Sequence, residues 1–151
     1  MAVASGSRWL IAGQVLDLEG EGKKITGEQL KFIHRSKTAA LLTSSIRLGA
    51  MSANATPARL ESLTAFGQAL GLAFQVIDDI LDVTQTTEKL GKTAGKDVAA
   101  TKATFPAVFG LERSRAEAHR LTAAAHTSLK PFGAKAARLR EIADYLLARE
   151  Y

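Results

Sequence analysis

Five consecutive residues concentrate the chemistry of this chain: Asp78-Asp79-Ile-Leu-Asp82. In a helix, Asp78 and Asp82 lie about 40° apart and one turn from each other, with Asp79 beside them. Two or three carboxylates therefore share a face. The residues before them, GLAFQVI, are nearly all apolar. Like charges one turn apart repel by roughly a few tenths of a kcal/mol, and burial adds about several kcal/mol of desolvation per ion. No lysine or arginine within one turn offsets this, and the C-terminal end of a helix is itself negative. A cation from outside the helix is the economical solution. Oxygen donors with no neighbouring histidine favour Mg²⁺ over zinc.

The segment that follows, EKLGKTAGKDVAATKATFP, spreads Lys89, Lys92, Lys96 and Lys102 along a stretch containing Gly91 and Gly95. Mg²⁺ held by one or two carboxylates completes its shell with water and phosphate oxygens, and lysines neutralise the charge that remains on the phosphate. Carboxylates followed by lysines thus form a candidate diphosphate site. Lys37-Thr38 lies mid-helix among apolar residues, either as a surface pair whose lysine snorkels or facing a polar cavity. Gln75, one turn before Asp79, either orients a ligand or fills a buried polar slot. His34, His119 and His126 lack convincing metal-ligand spacing and read as structural. No Ser-His-Asp set or phosphate-binding P-loop is visible.

These residues need helices to position them. Thr26 and Gln29 form a capping box, and Leu30, Ile33, Ala40, Leu41 and Ile46 recur at helical spacing, so one helix is expected from Thr26 to about Ala50. Thr56-Pro57 starts a second, with proline in its first turn. It runs to about Val83 and turns Leu60, Leu63, Phe66, Leu70 and Phe74 inward. It is apolar around most of its circumference from Leu70 to Ile80, the mark of a central buried helix. Phe105-Pro106 opens a third helical stretch, Gly110 breaks it, and helices over about 111–129 and 134–150 follow, separated by Pro131-Phe-Gly. The expectation is an all-α bundle of about five or six helices in a single domain.

Composition agrees. The 151 residues are 46% apolar, rich in alanine and leucine and free of cysteine. That excludes disulfides and points to a reducing compartment, read as cytoplasmic. Uninterrupted apolar runs fall short of the ~20 residues of a membrane span, and the N-terminal stretch does not read as a signal peptide. The net charge of +5 comes largely from late residues such as Arg113, Arg120, Lys130 and Arg138. They read as solvated helix faces, since aromatic interleaving and nucleic-acid modules are missing.

FQVIDDILD, LGKTAGKD and KATFP together resemble the second aspartate-rich region of trans-polyprenyl diphosphate synthases such as farnesyl and geranylgeranyl diphosphate synthases. IHRSKTAALL resembles the family's lysine-threonine helix, and AGQVLDLEGEG its glycine-glutamine motif. The motifs stand in the family's order. The resemblance implies part of the all-α terpenoid synthase fold, with Mg²⁺ bridging the diphosphate of an allylic substrate that condenses with isopentenyl diphosphate. It implies Asp78 as principal metal ligand and Asp79 and Asp82 in support. Lys37, Lys92 and Lys102 would contact the allylic diphosphate, and Thr38 and Gln75 would line the site. Catalysis would rest on Lys37, Asp78, Asp79, Asp82 and Lys92.

Trp9 stands where the family usually has a small glycine. The first aspartate-rich motif and the N-terminal isopentenyl-diphosphate contacts have no counterpart, so residues 1–151 read as the C-terminal portion of one synthase domain, inactive alone. The family implies a homodimer, or here pairing with an N-terminal half. A non-catalytic partner subunit is the alternative. The lysine segment and lysine-threonine helix favour the synthases over the related terpene cyclases.

Overall fold

The computed structural model describes residues 1–84 and 102–149, which are helices joined by short connections with no strand among them. A short α1 (Ala2–Ser5) precedes α2 (Leu10–Glu19) and α3 (Gly27–His34). The Thr26 capping box forms as expected: the Thr26 N–H donates to Gln29 Oε1 at 2.7 Å and the Gln29 N–H to Thr26 Oγ1 at 3.2 Å. The single helix expected from Thr26 to Ala50 is instead interrupted. Between α3 and α4 (Ala40–Ser52), residues Arg35–Ala39 form a wider π turn. Such turns are rare and gather at functional sites, and this one contains Lys37-Thr38.

The central element is α5 (Pro57–Thr84), 28 residues long. By length and composition alone it could cross a membrane. Here it is packed from several sides: α4 lies against it, α7 (Leu111–Ser128) runs antiparallel to it, and α8 (Ala137–Ala148) covers part of its first half. Two apolar layers form along it. Phe66, Ala69 and Leu70 pack with Ala125, Leu129, Ala136 and Ala143. Further on, Ala73, Val76, Ile77 and Ile80 pack with Leu30, Phe105, Ala118 and Leu121. Of the residues expected to face inward, Phe66 and Leu70 are fully buried, while Leu60, Leu63 and Phe74 are half-buried.

The break at Gly110 is real. Its φ of +84° is a left-handed value that side chains disfavour, and it separates α6 (Phe105–Phe109) from α7. The last helix starts at Ala137 rather than near 134, because a 3₁₀ segment, Lys130–Ala136, intervenes.

Two close crossings place the π turn. A Cβ on Gly71 of α5 would lie 2.5 Å from Ala39 Cα, and one on Gly13 of α2 would lie 2.4 Å from the Lys37 backbone nitrogen. Only glycine permits either approach. The π turn is therefore held between α2 and α5 with no side chain to spare on the contacting faces.

Candidate functional site

The same helix faces that make these crossings carry polar groups one turn on. On α5, Gly71 is followed at helical spacing by Gln75, then Asp78, Asp79 and Asp82. On α2, Gly13 is followed by Asp17. Together they open onto a polar cavity of about 250 Å³ lined by Asp17, His34, Lys37, Gln75, Asp78, Asp79, Asp82, Lys102, Ala103 and Thr104. Six of the eight residues singled out in the sequence thus meet at one place. Lys92 lies outside the described residues. Thr38, half-buried in the π turn, is not among the groups lining this cavity.

Each aspartate of α5 has a different setting. Asp79 is 8% and Asp82 5% exposed, whereas Asp78 is less enclosed. Asp79 Oδ2 accepts the Phe105 backbone N–H at 2.7 Å. The Thr104 hydroxyl caps the same turn by accepting the Ala107 N–H at 3.3 Å. These two bonds fix the start of α6, and with it the approach of Lys102, two residues earlier, to the cavity. Asp79 therefore does architectural work that its place in the acidic cluster did not announce.

Two groups were missed or underrated. Asp17 is the first. The Lys37 ammonium donates to its Oδ2 at 2.7 Å, and the Lys102 ammonium lies 3.4 Å from the same oxygen. Burial alone pushes the Asp17 carboxyl up, but the hydrogen bonds and charges of Lys37 and Lys102 outweigh it and hold it below the usual carboxylate range. No local pattern exposes this pairing, because 20 residues separate Asp17 from Lys37. Its only sequence signal is its place one turn after Gly13. His34 is the second. It is 5% exposed, stacks on Phe105 with ring centroids 5.6 Å apart, and brings Nε2 to 3.6 Å from Asp79 Oδ2. Burial, with a smaller contribution from Lys37 working against Asp17, lowers its pKa to about 4, so the ring is neutral at pH 7. Its Nδ1 is buried without a hydrogen-bond partner.

The donor set suits a hard divalent cation. Among the described lining residues, four carboxylates face two ammonium groups and a neutral imidazole. Among the described residues, no three carboxylate, imidazole or thiol groups converge closely enough to hold a metal ion by themselves. An open, oxygen-rich wall is what Mg²⁺ uses when phosphate and water supply the remaining ligands.

A second, larger cavity of about 620 Å³ lies along the α4–α5 groove. Ala39, Ala40, Thr43, Leu72, Trp9 and Val3 contribute to its largely apolar wall, with Arg35 and Arg47 at its edge. Arg47 is tied down by donating to Thr64 Oγ1 at 2.6 Å. The π turn supplies residues to both cavities: Lys37 to the polar one, Arg35 and Ala39 to the apolar one.

Comparison with known proteins bears on this arrangement. Residues 3–144 match the family model for polyprenyl synthetase. The chain is 47% identical over 153 aligned residues to geranylgeranyl pyrophosphate synthase 11, chloroplastic, of Arabidopsis thaliana, covering 99% of this chain and 43% of that protein. It is 45% identical to the heterodimeric geranylgeranyl pyrophosphate synthase large subunit 1, chloroplastic, of the same plant, covering 99% and 42%. Among solved structures it is similar to a geranyltransferase of Helicobacter pylori complexed with magnesium and isoprenyl diphosphate, with a TM-score of 0.80 and 35% identity over 97% of this chain and 48% of that one. The chain thus spans less than half the length of each of these three proteins.

Proposed function

We propose a function from one premise: the chain belongs to the polyprenyl synthetase family. It supplies the diphosphate-binding half of a prenyltransferase site, within a parent reaction that joins an allylic diphosphate to isopentenyl diphosphate. One observation carries this reading. Lys37 and Lys102 reach, from separate elements, the same small cavity as the three aspartates of α5. Lone acidic or basic clusters are common, but their convergence beside an open oxygen-rich wall is what a metal diphosphate requires.

In this reading Asp78 and Asp82 would hold Mg²⁺, and Asp79 would support them while its Oδ2 keeps Phe105 in place. Bound Mg²⁺ would neutralise the diphosphate and stabilise the charge it gains on leaving. Lys37 and Lys102 would contact the phosphate oxygens and Gln75 would line the cavity beside them, while Lys92 and Thr38 are assigned to the diphosphate by the motifs they belong to. The allylic C–O bond breaks, and its electron pair departs with the diphosphate. The isopentenyl double bond then forms the new C–C bond, and a proton is lost. The lysines act where negative charge grows, which is the useful place for electrostatic stabilisation. Neutral His34 adds no competing positive charge beside the aspartates. The apolar cavity along α4 and α5 suits a hydrocarbon tail.

The chain by itself is proposed to be inactive, as the C-terminal portion of one synthase domain whose first aspartate-rich motif lies elsewhere. The named relatives are more than twice as long. Incubation with labelled isopentenyl diphosphate, an allylic diphosphate and MgCl₂ tests this. We expect Mg²⁺-dependent diphosphate binding without chain extension by this chain, and extension when the missing half is supplied. Robust incorporation by the 151-residue chain alone would overturn it.

A second reading, a non-catalytic partner subunit, is favoured by one feature. Ile11, Val15 and Leu18 are each 45–55% exposed and fall at i, i+4 and i+7 on one face of α2, a pattern that seeks a partner. The name of the heterodimeric relative is consistent with pairing, as is a homodimer. Light scattering tests both: a stable monomer in solution counts against a partner subunit and a homodimer alike. The lack of cysteine supports a cytoplasmic location, whereas the plant relatives are named chloroplastic. Imaging a tagged copy decides between the two.

A further inference from the structure

Resting on that reading, we propose that Asp17 is a positioning residue with an opposing charge. It is a resident anion that shares Lys37 and Lys102 with the incoming diphosphate, and so limits how tightly diphosphate, and the inorganic pyrophosphate left after transfer, is held.

The geometry is specific. Both ammonium groups approach the same oxygen, Asp17 Oδ2, at 2.7 and 3.4 Å. Two like charges converge this closely when an anion between them offsets their repulsion. The arrangement is half-enclosed, with the Asp17 side chain 15% exposed and the lysines 29% and 24%, so water screens it less than a surface pair. It is also built in. Asp17 stands one turn beyond Gly13, whose bare Cα sits against the backbone of Lys37 itself. The two helices cannot slide apart without opening that contact.

Each ammonium carries three N–H donors. A phosphate oxygen can therefore bind Lys37 and Lys102 while Asp17 stays, but the two anions then share the lysine charge and repel at close range. A site without Asp17 would hold substrate diphosphate and inorganic pyrophosphate more tightly alike. Such uniform tightening lowers KM without accelerating the chemical step and retards departure of the product. Asp17 comes from α2, not from the acidic run of α5, and its bonds to the lysines assign it to managing them rather than to holding metal.

Calorimetric titration of inorganic pyrophosphate into the chain at saturating MgCl₂ tests the proposal. Asp17→Asn keeps the shape and an acceptor oxygen but removes the charge, and Asp17→Ala removes both. Binding is expected to tighten about ten-fold in each. Asp17→Glu keeps the charge and is expected to bind like the wild type. A role confined to folding predicts the opposite sign: weaker binding in the Asn and Ala variants. Unchanged or weaker binding by Asp17→Asn, in a variant whose circular dichroism matches the wild type, overturns the proposal. Tightening in Asp17→Glu overturns it too, since charge would then not be the cause, and this arm stands if the Asn variant fails to fold. Wild-type chain that binds no Mg²⁺-pyrophosphate removes the diphosphate reading and this proposal with it, whereas binding that Asp17→Asn fails to tighten removes only the role of Asp17.

Discussion

Two sets of charges in this molecule obey different rules. On α7 and α8, acids and bases meet one turn apart at the surface: Glu117 with Arg120 at 2.7 Å, and Arg138 with Glu141 at 2.6 Å. These pairs are local, solvated and satisfied by their own helix. On α5, Asp79 and Asp82 are almost fully enclosed, and the partners identified for Asp79 come from distant parts of the chain. Surface pairs of this kind contribute little, commonly below about 1 kcal/mol. Enclosed carboxylates are costly to desolvate and persist where something else requires them. The contrast separates charge that decorates a helix from charge that a function retains.

Removing the α5 acids should have the largest effect on the site. Asp78→Ala combined with Asp82→Ala should lower Mg²⁺-dependent pyrophosphate binding by about 1,000-fold, equivalent to about 4 kcal/mol, while the circular-dichroism spectrum stays helical. Calorimetry reads the first effect. Binding that survives would reduce the cluster to decoration.

Acid tests the enclosure of the site by another route. Unfolded, His34 titrates near 6.5, and folded, at about 4. The folded state therefore takes up the proton less readily. The stability from keeping the ring neutral is fully present above pH 6.5 and is lost as pH falls toward 4. The loss reaches about 3 kcal/mol. Urea melts at pH 7 and pH 4.5 should show it, and His34→Phe, which keeps the stacking on Phe105, should blunt it.

Next in size is the crossing that sets the π turn. Gly71→Val places atoms within 2.5 Å of Ala39, and overpacking of this kind costs about 2 kcal/mol. The urea midpoint should drop, and diphosphate binding should weaken with it, because the Lys37 backbone moves with Ala39. The smallest effect belongs to the other side of the comparison. Glu117→Gln should change stability by no more than about 0.5 kcal/mol, within the resolution of a careful melt.

The same contrast explains what could be read from sequence. Local signals were legible: the Thr26 capping box, the Pro57 start, the break at Gly110 and the apolar girth of α5 all follow from neighbours in the chain. So were six of the residues that line the polar cavity, because their types and order resemble those of a family built for diphosphate chemistry. Three features were not legible. The π turn has no signature in RSKTA and reflects the two glycine crossings that hold it. Asp17 looked like one acid among several in AGQVLDLEGEG, and its meaning depends on Lys37 and Lys102, which only the fold brings near. Asp79 reads in the sequence as a support to Asp78 on a par with Asp82, yet it fastens Phe105.

The central claim is that the polar cavity holds a divalent ion and a diphosphate between the α5 acids and the lysines. Crystals grown with Mn²⁺ in place of Mg²⁺ and with inorganic pyrophosphate test it most directly through anomalous scattering. The account predicts a manganese peak against Asp78 and Asp82, with phosphate oxygens in contact with Lys37 and Lys102. Manganese confined to surface carboxylates such as Glu112 or Glu141, with the cavity between Asp17 and Asp82 holding only water, would contradict it.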